Sequence, residues 1–163
     1  TEAAVWDGAS GLRAAVQEAI RDVRPVGIFP DVVRAEQVFF TVDVDVVTDG
    51  LPLPSGSVAS RNLSPAALAL KQRLAARMRR VVDGLTLAEP VRAAALSAAL
   101  MAEPGVVDVD GLQLVRFPPS IDAVGSGGVD SVSPVALDVD ENLIVGADQI
   151  AVFVEQPGRL TVR

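Results

Sequence analysis

Carboxylates are the side chains whose number and spacing here come closest to chemistry. Asp43 and Asp45 stand two apart in a β-branched run, so both project from one face of a strand. Asp138, Asp140, Glu141 and Asn142 form a second oxygen-rich group in a turn-like stretch. Such groups offer acid–base pairs or ligands for a hard cation. Neither follows the twelve-residue calcium loop, with its central glycine and closing glutamate. The spacing favours a solvated strand face and a polar turn, with a calcium- or small-ligand-binding module and an Asp-based hydrolase as rivals. The chain has no histidine and no cysteine. That removes imidazole acid–base chemistry, Ser–His and Cys nucleophiles, disulfides, and thiolate or imidazole metal sites.

Gly125-Ser126-Gly127-Gly128 has the composition of a phosphate cradle, but no Lys-Ser/Thr follows it and no helix start adjoins it. A flexible loop is the expected role. Arg73, Arg77 and Arg80 recur at helical spacing and line one flank of a helix. They suit either an acidic partner surface or solvent with local partners such as Asp83. Leu96 and Leu100 lie in a segment that is apolar almost all round, which must be buried on two sides or covered by a partner. Phe39 adds a large apolar side chain to the wetter face of a strand. These six residues are the candidate partner contacts, with no catalytic residue, metal or cofactor expected.

Composition bounds what must hold them. Half of the 163 residues are hydrophobic and only 4% aromatic, so the core is built from Val, Leu, Ile and Ala. A net charge of −7 argues against nucleic acid and anionic membrane surfaces as partners. Thirteen of the fourteen basic residues are Arg, Lys71 being the exception. That bias fits bidentate contacts or simply a GC-rich genome. No apolar run reaches the roughly 18 residues of a membrane span, and no signal-peptide pattern is present. Thr1 in place of an initiator Met suggests processing or a piece of a longer polypeptide.

Punctuation along the chain gives the elements. Residues 1–9 read as a leader. Ser10 caps an amphipathic helix carrying Leu12, Val16, Ile20 and Val23, which stops at Arg24-Pro25. Residues 28–35 form a short strand broken by Pro30. Strict alternation over 38–47 predicts a half-buried strand, and 49–56 a loop. Ser64-Pro65 opens a long helix that Gly84 closes. A second helix runs to Ala102 from about Leu87 or Pro90, depending on whether Thr86 and Glu89 form a capping box. Pro104-Gly105 ends it, and 106–117 is a strand with a turn or bulge at Asp110-Gly111. Residues 118–142 read as a long excursion. Strands at about 143–155 and 159–163 close the chain as a hairpin turned by Gln156-Pro157-Gly158. The expected fold is α+β: a mostly antiparallel sheet of four or five strands, two helices on one face, and the N-terminal helix docked at an edge. One domain covers 10–163.

These landmarks, in this order, resemble the C-terminal part of the baseplate J-like family, the wedge subunits of contractile phage tails and tail-like injection systems. The resemblance rests on the helix ending in Arg24-Pro25-Val26-Gly27, the strand at 38–47, the Ser64-Pro65 helix and the helix from Gly84 to Ala102. Pro104-Gly105-Val106-Val107-Asp108-Val109 and the strands near 150–154 and 160–162 complete it. It covers about 10–163, with 118–142 as a departure. It implies a non-enzymatic component of a hetero-oligomeric baseplate, assembled in the bacterial cytoplasm. The implied partners are other wedge, hub or spike, and sheath-side proteins, and rearranging interfaces follow sheath contraction.

Overall fold

The computed structural model describes residues 11–21, 23, 25, 27, 28, 30–118 and 134–163. The leader 1–9, the Ser10 cap, Arg24, Val26 and the Gly125–Gly128 loop lie outside them. The chain divides into two compact units, 1–35 and 36–163.

In the first unit, α1 (Leu12–Arg21) forms where the 3.6-residue periodicity predicts. Residues 31–35 are irregular rather than a strand. Pro30 supplies no N–H, and Asp31 instead accepts from Arg13 of α1 at 3.3 Å.

The second unit is a five-stranded sheet under helices. β1 (Glu36–Thr48) is its spine. After it come α2 (Val58–Asn62), α3 (Pro65–Asp83), α4 (Ala93–Met101), β2 (Val106–Arg116), β3 (Val135–Val139), β4 (Gln149–Phe153) and β5 (Leu160–Val162). The strand order is β3-β2-β1-β4, and β5 also pairs with β1. β1/β2 and β2/β3 are antiparallel, whereas β4 and β5 run parallel to β1. The fold is therefore α+β as expected, with a mixed sheet in place of a purely antiparallel one.

The expected closing hairpin does not form. β4 pairs with residues 36–40 of β1 and β5 with residues 44–46, so the two strands follow each other along one edge. A 3-10 turn, Pro157–Arg159, joins them. Strands running the same way along one neighbour need a connector in line, and a tight reversing turn cannot supply it.

The Asp110-Gly111 bulge is present. Gly111 and Leu112 together stand opposite Val44, and Gly111 takes φ +61°, which a side chain would resist. Val107 forms a second bulge, between the Val47–Asp108 and Thr48–Val106 pairs. Part of the expected excursion is ordered, because β3 forms the sheet's outer edge on β2. Its residues are exposed save for half-buried Leu137, so no alternation announced it.

One core lies between the sheet and α3/α4. Val38, Phe40, Val42, Val44 and Val46 project from β1 into Leu70, Leu74 and Met78 of α3 and Leu96 and Leu100 of α4. Phe40 is fully buried, its ring centroid 5.8 Å from that of Phe153 in a tilted pair. On the opposite face stand Phe39, Thr41, Asp43 and Asp45.

Candidate partner interface

α3 begins as its sequence dictates. The Ser64 hydroxyl accepts from the Ala67 N–H at 3.2 Å, and Pro65 occupies a position that needs no N–H. Of its residues, Ala67, Leu70, Lys71, Leu74, Ala75, Met78 and Val82 are buried. Lys71, the chain's one lysine, is 7% exposed, and burial pulls its ammonium below the ordinary lysine range.

α4 starts later than either sequence alternative. Thr86 and Glu89 do meet, the Glu89 carboxylate accepting from the Thr86 N–H at 3.0 Å and its hydroxyl at 3.1 Å. Those hydrogen bonds hold the Glu89 carboxyl below its usual range. No helix follows, because Ala88 takes φ +65° and Val91 is drawn into a bridge with Leu143, both bonds 3.0 Å. Arg92 offers no side-chain cap. The Asn142 Oδ1 does so instead, accepting from the Ala93 N–H at 3.0 Å. One residue of the supposed ligand cluster is thus a helix cap.

Glu103, just past α4, ties the two helices together. It is 7% exposed and its carboxylate accepts from Arg73 Nε at 2.7 Å and Arg77 Nε at 2.5 Å. Burial pushes its carboxyl up, but the hydrogen bonds and charges of Arg73 and Arg77 outweigh this and hold it below the usual range. Sequence reasoning missed Glu103. It reads as an ordinary helix-terminal acid, and the arginines it binds lie 30 and 26 residues away.

The candidate contacts now separate. Arg73 and Arg77 are partly occupied by Glu103. Arg80 is exposed, its Nε donating only to the Ala76 carbonyl at 3.3 Å, and it has no ion pair among the described residues. Leu96 and Leu100, expected at a partner surface, are 0% exposed and belong to the chain's own core. The face α4 turns outward is Ala94, Ala95, Ala98 and Met101. Phe39 is half-buried on the sheet face away from the helices, and so on the opposite side of the sheet from the arginines of α3.

Three of the five carboxylates weighed for chemistry, those of Asp43, Asp45 and Glu141, have structural partners. Arg159 Nη1 donates to Asp43 at 3.0 Å, and Arg163 is bound to Asp45. Glu141 accepts from the Asp138 N–H at 2.8 Å and closes a turn in which Asp140 takes φ +61°. Among the described residues no group of three or more His, Cys, Asp or Glu could hold a metal ion. A groove of about 300 Å³ lies between the end of α3 and β4, lined by Gln37, Arg79, Val82, Asp83, Leu85 and Phe153 among others. None of the candidate contacts lines it. Among the described residues no helix is long and apolar enough to cross a membrane.

No protein-family model matches the chain, and no curated protein matches it.

Proposed function

We propose that this chain is a non-enzymatic structural part of a contractile-tail or injection-system baseplate, a wedge-type subunit that works by its contacts with other proteins. The observation that carries this reading is the α3/α4 layer. Two helices are clamped together by one buried glutamate between two arginines, and they leave Arg80 and an apolar strip of α4 facing outward.

A rigid layer with a bare, charge-flanked face suits a contact surface. Of the carboxylates that would serve a reaction or a cation, Asp43 and Asp45 are bound to arginines and Glu141 to a turn N–H group. The order of elements supports the same reading. The helix, the long strand, the Ser64-Pro65 helix, its apolar partner and the strand after Pro104-Gly105 follow the sequence of landmarks that resembles the baseplate J-like family.

On this reading the neighbours are other wedge proteins, the hub or spike, and sheath-side subunits, assembled in the bacterial cytoplasm. The clamped layer then moves as one body when interfaces rearrange. Sedimentation of tail particles from producing cells is the test. The protein is expected to travel with sheath and tube proteins, and its absence from every such particle would end the proposal.

A further inference from the structure

The two layers of the second unit carry opposite charge. On the helix side α3 holds Arg73, Arg77, Arg79 and Arg80 against one carboxylate of its own, Asp83; Glu103 pairs with Arg73 and Arg77, and Glu155 with Arg79. On the sheet's outer face the balance reverses. Asp45 and Asp110 are directly opposed across β1/β2, and Asp108 is opposed to Val47 one step along. Opposed residues share a face, so these carboxylates form one patch. Asp45 is bound to Arg163, whereas Asp108 and Asp110 are exposed and have no ion pair among the described residues.

Each patch also has an apolar part. On α4, which packs against α3 in the same layer, Ala94, Ala98 and Met101 are exposed, the last 43%. Beside the aspartates lies Val139, 57% exposed and paired with Gln113 on the outer face. A basic, small-residue surface on one side therefore matches an acidic, Val-bearing surface on the other.

We propose that copies of this chain associate front to back, the α3/α4 face of one seating on the Asp108/Asp110 face of the next. Arg80 reaches the carboxylates of Asp108 and Asp110, and the alanines of α4 let the next copy's sheet approach closely. Such a contact is heterologous, so it propagates into rings or filaments instead of stopping at a dimer. Its size sets its strength. Nineteen residues of α3 span about 28 Å, and two helices side by side cover on the order of 500 Å². That is below the roughly 800 Å² per partner of a standard interface, so the association is weak and sensitive to salt. The inference does not rest on the baseplate proposal.

Sedimentation velocity on the full chain tests it. At about 50 mM NaCl the weight-average sedimentation coefficient is expected to rise past the dimer value as protein approaches about 500 µM, and to fall back at about 500 mM NaCl. Arg80→Glu and Asp110→Arg should each weaken association about tenfold. Their equimolar mixture should recover it, because the two intact faces meet at one contact and the two reversed charges meet at the next. Ala98→Glu gives a second disruption of the helix face, and far-UV circular dichroism confirms that each variant is folded. A wild-type chain that stays monomeric at about 500 µM in low salt overturns the inference. So does association that stops at a dimer, or a mixture that recovers nothing. Stacking by a protein never found in tail particles would keep this inference and end the baseplate proposal. A particle-bound protein that is monomeric alone would do the reverse.

Discussion

The two faces of β1 alternate residue by residue yet are held by different physics. Toward the helices, Val38, Phe40, Val42, Val44 and Val46 are all at most 4% exposed in a continuous apolar core. Away from them, Asp43 and Asp45 carry arginine partners, and Thr41 is 1% exposed with its hydroxyl unpartnered. Thr41 is opposed to Val115, itself 2% exposed. The helix face thus gains from burial at every position. The outer face buries Val115 but also a polar group without compensation, and its ion pairs are partly solvated. The difference teaches that stability is concentrated on one side of the sheet, which leaves the other side open to change.

Phe40→Ala tests this most severely. Emptying a fully buried aromatic site should cost about 3–5 kcal/mol in urea unfolding, while Phe39→Ala on the outer face should cost about 1 kcal/mol. Equal losses would abolish the distinction between the faces.

Glu103→Gln comes next, with an expected loss of about 1–3 kcal/mol, since two arginines lose their shared carboxylate. The clamp also has a pH signature. The carboxyl of Glu103 is depressed in the folded state, so its contribution is complete above the unfolded value of about 4.3 and fades as pH falls through the folded value. Acid titration of wild type against Glu103→Gln should show the two stabilities converging at low pH. A difference that widens with acid would contradict the clamp.

Thr41→Val is expected to act in the opposite direction, stabilising by about 1 kcal/mol because a hydroxyl without a partner is replaced by a methyl group of similar shape. A loss of similar size would mean that the hydroxyl is satisfied in solution. The smallest effect belongs to Asp43→Asn. The carboxylate side chain is 48% exposed, and losing its Arg159 pair should cost less than about 0.5 kcal/mol, a difference best read from paired denaturation curves.

What could be read from sequence follows the range of the interactions. The α3 cap and stop, the alternation of β1 and the Asp110-Gly111 bulge are set by neighbours a few residues apart, and each is found in place. The rest depends on distant partners. The start of α4 is fixed by Leu143 and Asn142, about fifty residues on, which override the local Thr86–Glu89 signal. Parallel pairing of β4 and β5 with β1 leaves no mark in a turn sequence, and so a hairpin was expected there. The contact residues follow the same rule. Apolarity all round α4 could not reveal which side faces inward, and Leu96 and Leu100 took the core with Ala93 while Ala94, Ala95 and Ala98 stayed outside. The flank of arginines was legible, but the glutamate that occupies two of them was not.

One feature of the sheet bears on how the protein comes to be made. β1 emerges early, yet the edge completed by β4 and β5 waits for residues 149–162. Asn62, which bonds Val162 at both its N–H and its carbonyl, waits a hundred residues for its partner. Throughout that interval a valine-rich ribbon presents unpaired N–H and C=O groups, the template on which nascent chains stick to one another. Polysome-bound intermediates of this protein should therefore be natural clients for a ribosome-associated holdase, and deleting residues 160–163, which carry β5, should shift the product from soluble to aggregated before it alters anything else.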